Sequence, residues 1–566
     1  MRIARIARAA VIAMALLGLT ACASLPVTGD VRPGLAANQS DGGSDLAFVP
    51  QGPSDGMDPK EIVRGFIDAA SSPKDSWGIA RQFLTSGEAQ KWKPDAGVTI
   101  DTGSAERRYD APEVTKESTS TTVRLGLQQT ATVDETGAYS GQPVGRAAEL
   151  PFVLEKNKNG QWRISQAPDG IVLDADSFAA ADVFAPYSLQ YFDPTWTYLV
   201  PDVRWFPKRE NTASRIVQSL VGGKPSPWLA NGVRTAFTGD VALGRNTVTP
   251  ESQVAEIVLT DAALDVDPVT LSRMRTQLER SLVGVGVLQV KITIAGRDTN
   301  AGSATAASTA VDPRPLVLTD KGFGFLAGGA LTPIGGVSAQ VEGFPQPITA
   351  ISAATGAQRV AVQGADGVVY AIADGKTDQI DGRGGLIAPT LDPFGYIWTV
   401  PAQAPASIDA WSTSVAPRPI AGPQDASQVT SFAVSRDGAR LAMALVAGGQ
   451  FRVEVFAITR DDRGAPTALG QANVIAWPSG AVDVGWLDDT TVGVLGADGS
   501  NLVLREQQVG GPARTVDAPD AAQMLAPGSP TANVRVLGGE VLYQRSGPNW
   551  QQEGAGVKVL AVQLGG

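Results

Sequence analysis

The chain has 566 residues, 43 % of them hydrophobic, with one Cys and no His, a length for three or four folded units at roughly 100–200 residues each. Lacking His, it has no Ser-His-Asp triad, HExxH zinc site or imidazole base, and a single Cys leaves no intrachain disulfide, cysteine zinc site or iron–sulfur cluster. With 57 acidic against 46 basic side chains, net −11, a nucleic-acid partner is disfavoured, leaving carboxylate chemistry or binding without chemistry.

The N-terminus carries Arg2, Arg5 and Arg8, then the apolar run Ala9 to Thr20. This is the layout of a secretory signal over residues 1–21, and the run falls short of the ~20 residues of a membrane span. Leu19-Thr20-Ala21-Cys22 resembles the bacterial lipobox, a Leu and two small residues before a Cys that takes a thioether-linked diacylglycerol. The resemblance implies lipid attachment at Cys22, and two long acyl chains anchor a protein stably where one holds only marginally. Cleavage would remove three arginines and no acidic side chain, so the anchor, rather than charge, would hold the mature chain at the membrane.

Residues 22–58 are rich in Gly and Pro and poor in large apolar side chains, the pattern of a tether reaching roughly 30 Å. Folded sequence begins at residue 59. Ile62, Val63, Phe66, Ile67 and Ala70 recur at helical spacing behind Asp58 as N-cap and Pro59 in the first turn. A second helix is predicted over Trp77 to Leu84, followed by strands at Thr121 to Leu127, Ala131 to Val133, Ala148 to Leu154 and Gln161 to Ser165. Two helices before a curved sheet, closing on Gly160-Gln161-Trp162-Arg163-Ile164-Ser165, resemble an NTF2-like domain over 59–180. Such a cone is able to house an active site, but its interior would need acid–base groups, and Trp162 reads as core.

Residues 187–297 alternate strand and helix. Strands are predicted around Leu199 to Trp205, Val233 to Phe237, Val254 to Leu259 and Val287 to Ile294, with helices over Ala213 to Val221 and Ser272 to Leu282. Arg234-Thr235-Ala236, Ala255 to Thr260, Gln277 and Leu288-Gln289-Val290 resemble the GerMN domain, which implies a non-enzymatic envelope module engaged in protein contacts. Residues 298–312 are small and polar, a linker or exposed loop.

From residue 313 to 566 short β runs recur between turns such as Asp392-Pro393-Phe394-Gly395 and Ser435-Arg436-Asp437-Gly438. Blade-like starts near 348, 386, 429, 481 and 522 give the spacing of a β-propeller of about six blades. The run Val434 to Ala442 resembles the inner hairpin of TolB-like blades.

Several motifs have a plain reading as well as a functional one. Gly322-Phe323-Gly324 with Gly328 lacks the strand–helix unit of a dinucleotide site, and Gly222-Gly223-Lys224 lacks the flanks of a phosphate loop and reads as a helix end. Asp374, Asp378 and Asp381 fit no calcium spacing, and Ser435-x-Asp437-Gly438 is half of a sialidase Asp box without its aromatic ending. No cofactor, metal site or catalytic residue is assigned.

Lipobox, tether, NTF2-like unit, GerMN-like unit and propeller in this order resemble the LpqB lipoproteins of actinobacteria. The resemblance implies a lipid-anchored protein on the extracytoplasmic face of the cell membrane. It also implies a partner, the extracellular domain of an MtrB-like sensor histidine kinase acting on the MtrA response regulator, with effects on envelope homeostasis and cell division. Alternative readings are an envelope glycan hydrolase or lyase using carboxylates, and a passive scaffold in envelope assembly.

Overall fold

The computed structural model describes residues 50–237, 239–412, 416–526, 528 and 534–564. The leader, Leu19, Thr20, Ala21 and Cys22 lie outside the described residues.

The first helix, Pro59–Ala70, starts where the sequence places it. The Asp58 carboxylate accepts from the Glu61 amide at 2.9 Å, and the Glu61 carboxylate accepts from the Asp58 amide at 2.8 Å, a reciprocal cap for two otherwise unpaired donors. Its buried face lies against a curved sheet ordered Trp162–Gln166, Tyr139–Lys156, Ser120–Val133, Val98–Asp101, Ile171–Asp174. All neighbours pair antiparallel except the last two, which run parallel. The separate short strands expected from the sequence are continuous here, with register shifts at Gln129/Ala131 and Val153/Leu154. Bulges of this kind bend a long hairpin without ending it.

The concave face is filled. Phe66 packs edge-on against Trp92 at 4.9 Å and Phe152 at 6.0 Å, among Ile62, Val123 and Leu125. Trp162 is 6 % exposed and belongs to the same core. The helix expected over Trp77 to Leu84 is shorter, Gly78–Arg81, because Asp75, Ser76 and Trp77 take left-handed φ values of 48°, 55° and 61°. That costly turn swings the Trp77 indole inward, where its N–H donates to the Ala70 carbonyl at 2.9 Å.

The second unit pairs Phe184–Phe192 with Leu199–Pro207 and sets Val254–Leu259 parallel to Gln289–Ile294, with helices Thr212–Val221 and Pro268–Leu282 packed on them. The Asp267 side chain caps the second helix, extending it beyond the predicted start. The strand expected over Val233 to Phe237 does not form. Arg234 exchanges a single pair of backbone bonds with Phe192, and the Ala236 amide is taken instead by the buried side chain of Gln277 at 2.6 Å. Gln277 also donates to the Gln190 carbonyl at 2.8 Å, so one amide side chain holds two segments.

Residues 299–312 form no regular element, yet they are tied down. The Ala304 amide donates to Thr276 Oγ1 at 2.7 Å, the Ala307 amide to the Thr197 carbonyl at 2.8 Å, and Thr309 Oγ1 to Asp489 at 2.9 Å. This segment is a strap along the second unit that ends on the propeller.

Among the described residues the C-terminal region forms six antiparallel blades, five of them four-stranded and one, starting at Ala426–Val434, with a fifth strand Asn473–Ala476 paired to Gln450–Arg460. Five are contiguous in sequence, with inner strands Ile348–Ala353, Thr390–Leu391, Ala426–Val434, Gly480–Trp486 and Ala522–Ala526. The remaining blade takes its outer strands from Leu316–Thr319, Gly322–Ala327 and Ala330–Thr332 and its inner strand from Val557–Gln563. That last strand also pairs parallel with Ile348–Ala353, so it closes the ring.

Candidate functional site

Three places bring polar chemistry together: the junction of the three units, the propeller end on which the second unit sits, and the propeller channel.

At the junction, Asp202 and Arg204 are two apart on the Leu199–Pro207 strand and so project from the same face. Arg204 donates to Asp202 at 2.8 Å, to Thr136 Oγ1 at 2.8 Å and to the Lys224 carbonyl at 3.2 Å. Asp202 also accepts from the Ser226 hydroxyl at 2.7 Å and the Ser226 amide at 2.8 Å. Burial works against the Arg204 charge, but Asp202 outweighs it, so the guanidinium pKa lies above its ordinary value. The next residue, Trp205, receives the Phe178 ring at 4.2 Å, donates its amide to the Gly137 carbonyl at 2.8 Å and donates its indole N–H to the Gly510 carbonyl of the propeller at 2.8 Å. Adjacent side chains of one strand thereby bind the first unit, the second unit and the propeller together.

Beside this junction is a cleft of about 740 Å³ lined by both charge signs, including Lys93, Asp95, Glu135, Arg215 and Lys224. Two of its three carboxylates are engaged within the protein. Asp95 meets Arg215 at 3.1 Å, and Asp134 accepts from the Thr136 and Ala138 amides of its own turn at 2.8 and 3.0 Å.

The turns that follow the inner strands of three blades lie under the second unit. In one, Asp392 accepts from the Trp398 indole at 2.9 Å and from Arg460 at 2.7 Å, a pair with no exposed side-chain surface. In the next, Asp437 accepts from Ser435 Oγ at 2.6 Å and from the Ala439 amide at 2.9 Å, and pairs with Arg440. The Ser435 and Asp437 side chains thus serve the geometry of their own turn, while Arg436 reaches out to the Trp486, Leu487 and Gly528 carbonyls. Gly438 has φ +71°, and a Cβ there would meet Phe394 at 2.7 Å, so both backbone and packing require glycine. Tyr198 of the second unit packs edge-on against Phe394 at 5.8 Å, Arg234 pairs with Asp462, and Thr309 bonds Asp489. Burial raises the pKa of Asp489 and lowers that of Arg436.

The channel, a cavity of about 170 Å³, is lined by the inner strands of the ring, among them Thr349, Thr390, Ser431, Val482, Asp483 and Met524. Asp483 accepts from Ser431 Oγ at 2.7 Å, the Val484 amide at 2.9 Å and the Leu525 amide at 2.8 Å, linking three blades. Burial lifts its pKa from 3.8 to about 6, and these hydrogen bonds only partly oppose that shift.

Of the motifs singled out in the sequence, Gly322 and Gly324 lie in an outer propeller strand, and Gly222 ends the Thr212–Val221 helix. Asp374, Asp378 and Asp381 do not converge. Asp381 is buried against Arg383 and Thr399, at 2.7 and 2.6 Å, while Asp374 and Asp378 are exposed. Among the described residues, no group of three or more carboxylates is placed to hold a metal, and no helix is long and apolar enough to cross a membrane. Sequence reading missed the Asp202–Arg204–Trp205 junction and Asp483. The i, i+2 acid–base pair was a usable signal for the first.

The comparisons with known proteins follow this division. Residues 52–179 match the family described as lipoprotein LpqB, N-terminal domain, and residues 322–559 match the lipoprotein LpqB beta-propeller domain. Lipoprotein LpqB of Bifidobacterium longum is 31 % identical over 249 residues, covering 43 % of this chain and 42 % of that protein. Lipoprotein LpqB of Cutibacterium acnes is 28 % identical over 297 residues, covering 52 % of this chain and 47 % of that protein. The aligned part thus spans under half the length of these curated relatives. A streptogramin B lyase structure overlays 37 % of this chain and 68 % of its own at 12 % identity and a TM-score of 0.28, a likeness too weak to carry an argument.

Proposed function

The chain carries the N-terminal and β-propeller domains of the lipoprotein LpqB family, and from that premise we propose that it is a lipid-anchored binding protein of the extracytoplasmic membrane face that modulates a sensor histidine kinase of the MtrB type. Through the kinase it would influence MtrA phosphorylation, envelope homeostasis and cell division. The observation that carries this reading is the junction at Arg204 and Trp205, which ties the N-terminal unit, the second unit and the propeller into one platform. A platform of that kind suits protein recognition, where interface geometry must be preset. Diacylglycerol on Cys22 would confine it to the membrane that holds the kinase and raise its effective concentration there.

We read the chain as a binder rather than an enzyme. In its cleft and turns, Asp95, Asp134, Asp392 and Asp437 are engaged by arginines or by their own backbone. Glycoside hydrolysis would need two carboxyl groups facing one sugar site, one of them free to give up a proton.

Crosslinking in intact cells tests the partner. The kinase's extracytoplasmic domain is expected as the main neighbour, and a different main neighbour would overturn the reading. Cys22→Ala is expected to move the protein from the membrane to the soluble fraction, and retention in the membrane would refute the anchor.

A further inference from the structure

Of the eighteen residues that line the propeller channel, Asp483 is the only one with a charged side chain. Three other buried carboxylates of the propeller have an arginine at contact: Asp392 has Arg460, Asp437 has Arg440 and Asp381 has Arg383, while Asp489 is held by the Thr309 hydroxyl. Asp483 has only neutral donors, namely Ser431 Oγ, the Val484 amide and the Leu525 amide. No charged side chain of the strands packed against it contributes to its titration. A charge withdrawn from water without a counter-charge is expensive, and proteins ordinarily pair it. Asp483 answers that cost with three neutral hydrogen bonds and a raised pKa, and it keeps capacity for a cationic partner from outside.

We propose that the channel is a binding site for a primary alkylammonium group, with Asp483 as its counter-charge. Several features select that chemistry. Oδ1 already accepts two hydrogen bonds and Oδ2 accepts one, so the carboxylate has one well-placed lone pair left. That suits a point-like ammonium and not the two-pronged fork of a guanidinium. A divalent cation gathers several oxygen ligands, and one half-committed carboxylate does not supply them. Val482, Val484, Met524 and Leu560 give the wall an apolar stretch for an alkyl stem, and Thr349 and Thr390 place hydroxyls beside it. The volume, about 170 Å³, accommodates roughly six non-hydrogen atoms at the ~30 Å³ a water occupies in the liquid, the size of a lysine side chain or a short free amine.

Access is built in. The second unit sits on the turns that follow the inner strands, whereas the lining residues Thr349, Val482 and Gln523 lie near the starts of those strands. Val482 is 47 % exposed and lies at the opposite mouth.

The site is tested on the full-length protein by calorimetric titration at about pH 7.5 with n-butylamine and with Nα-acetyl-lysine methylamide, and again at about pH 5. A Kd of about 1 mM or tighter is expected for at least one probe. Preference for butylamine identifies a free amine as the ligand, and preference for the lysine derivative identifies a side chain presented by a protein. Binding weakens roughly tenfold per unit as the pH falls below about 6, because the protonated Asp483 carboxyl no longer offers a charge. Asp483→Asn abolishes binding. Since that change also touches the bonds between blades, Val482→Trp serves as the second variant: it closes the mouth, leaves Asp483 in place and is expected to abolish binding with an unchanged circular dichroism spectrum. Absence of binding by both probes, binding indifferent to pH in the unmodified protein, or binding retained in a folded Val482→Trp variant overturns the proposal.

Discussion

Two parts of the propeller, the turns at Asp392 and Asp437 and the channel at Asp483, treat charge in opposite ways. At the end under the second unit, Asp392 with Arg460 and Asp437 with Arg440 are sealed pairs, and the turns that hold them form a docking surface. In the channel a carboxylate faces an otherwise uncharged wall. Matched buried pairs have spent their electrostatics on each other and fix geometry, whereas the solitary charge still has interaction energy to offer. The same six-bladed frame thus supports a permanent internal interface at the turns and a receptive pocket in the channel.

The comparison is broken most forcefully by Arg460→Ala. It leaves Asp392 buried without its partner and also removes donors to the Gly438 and Gly464 carbonyls, so a loss of about 3–5 kcal/mol is expected in denaturant unfolding. A loss under about 1 kcal/mol would show that this end is as adaptable as a surface ion pair.

A smaller effect comes from the channel and has a pH signature. The Asp483 carboxyl has a folded pKa of about 6 against 3.8, so the folded state holds that proton more tightly than the unfolded chain does. Its stabilising contribution is complete below about pH 4 and is lost as the pH rises through about 6. Relative to Asp483→Asn, the unmodified protein should therefore lose roughly 2–3 kcal/mol across that interval and nothing further above it. Thermal unfolding of both proteins at matched pH values measures the difference, and a flat difference would place Asp483 among the compensated carboxylates.

The smallest effect is at the junction. Trp205→Phe keeps the ring against Phe178 and removes the N–H that reaches Gly510, a change of about 1 kcal/mol. Amide exchange is expected to quicken around Gly510 and Gly137 and not in the channel. Uniform quickening would mean that both parts unfold as one cooperative block.

Much of the architecture was legible because it is local. The Asp58 cap, the amphipathic first helix and the turn at Ser435 to Gly438 are all specified within a few residues, and five blade starts fall within a few residues of those inferred from turn spacing. The closing strand was not legible as such. Val557–Gln563 looks like any other β run, and its partner Leu316–Thr319 lies at the far end of the propeller sequence. Asp483 was hidden for another reason. In Val482-Asp483-Val484 the acidic residue alternates with apolar ones as it would on a solvated strand, and only ring closure turns that face toward a channel. The strap over 299–312 was concealed by its composition, since small side chains with little apolar surface are held there by backbone and hydroxyl bonds.

Ring closure by Val557–Gln563 also sets a timetable. A ribosome makes the outer strands of that blade before the other five blades and its axial strand after them, so the nascent chain carries an incomplete blade, with the unpaired edge of Leu316–Thr319, through nearly all of propeller synthesis. A chain stopped just before Val557 would contain the other five blades and yet leave the ring unclosed. Exposed edges of this kind recruit other strands, which makes the interval before closure the period when the protein is most prone to aggregate.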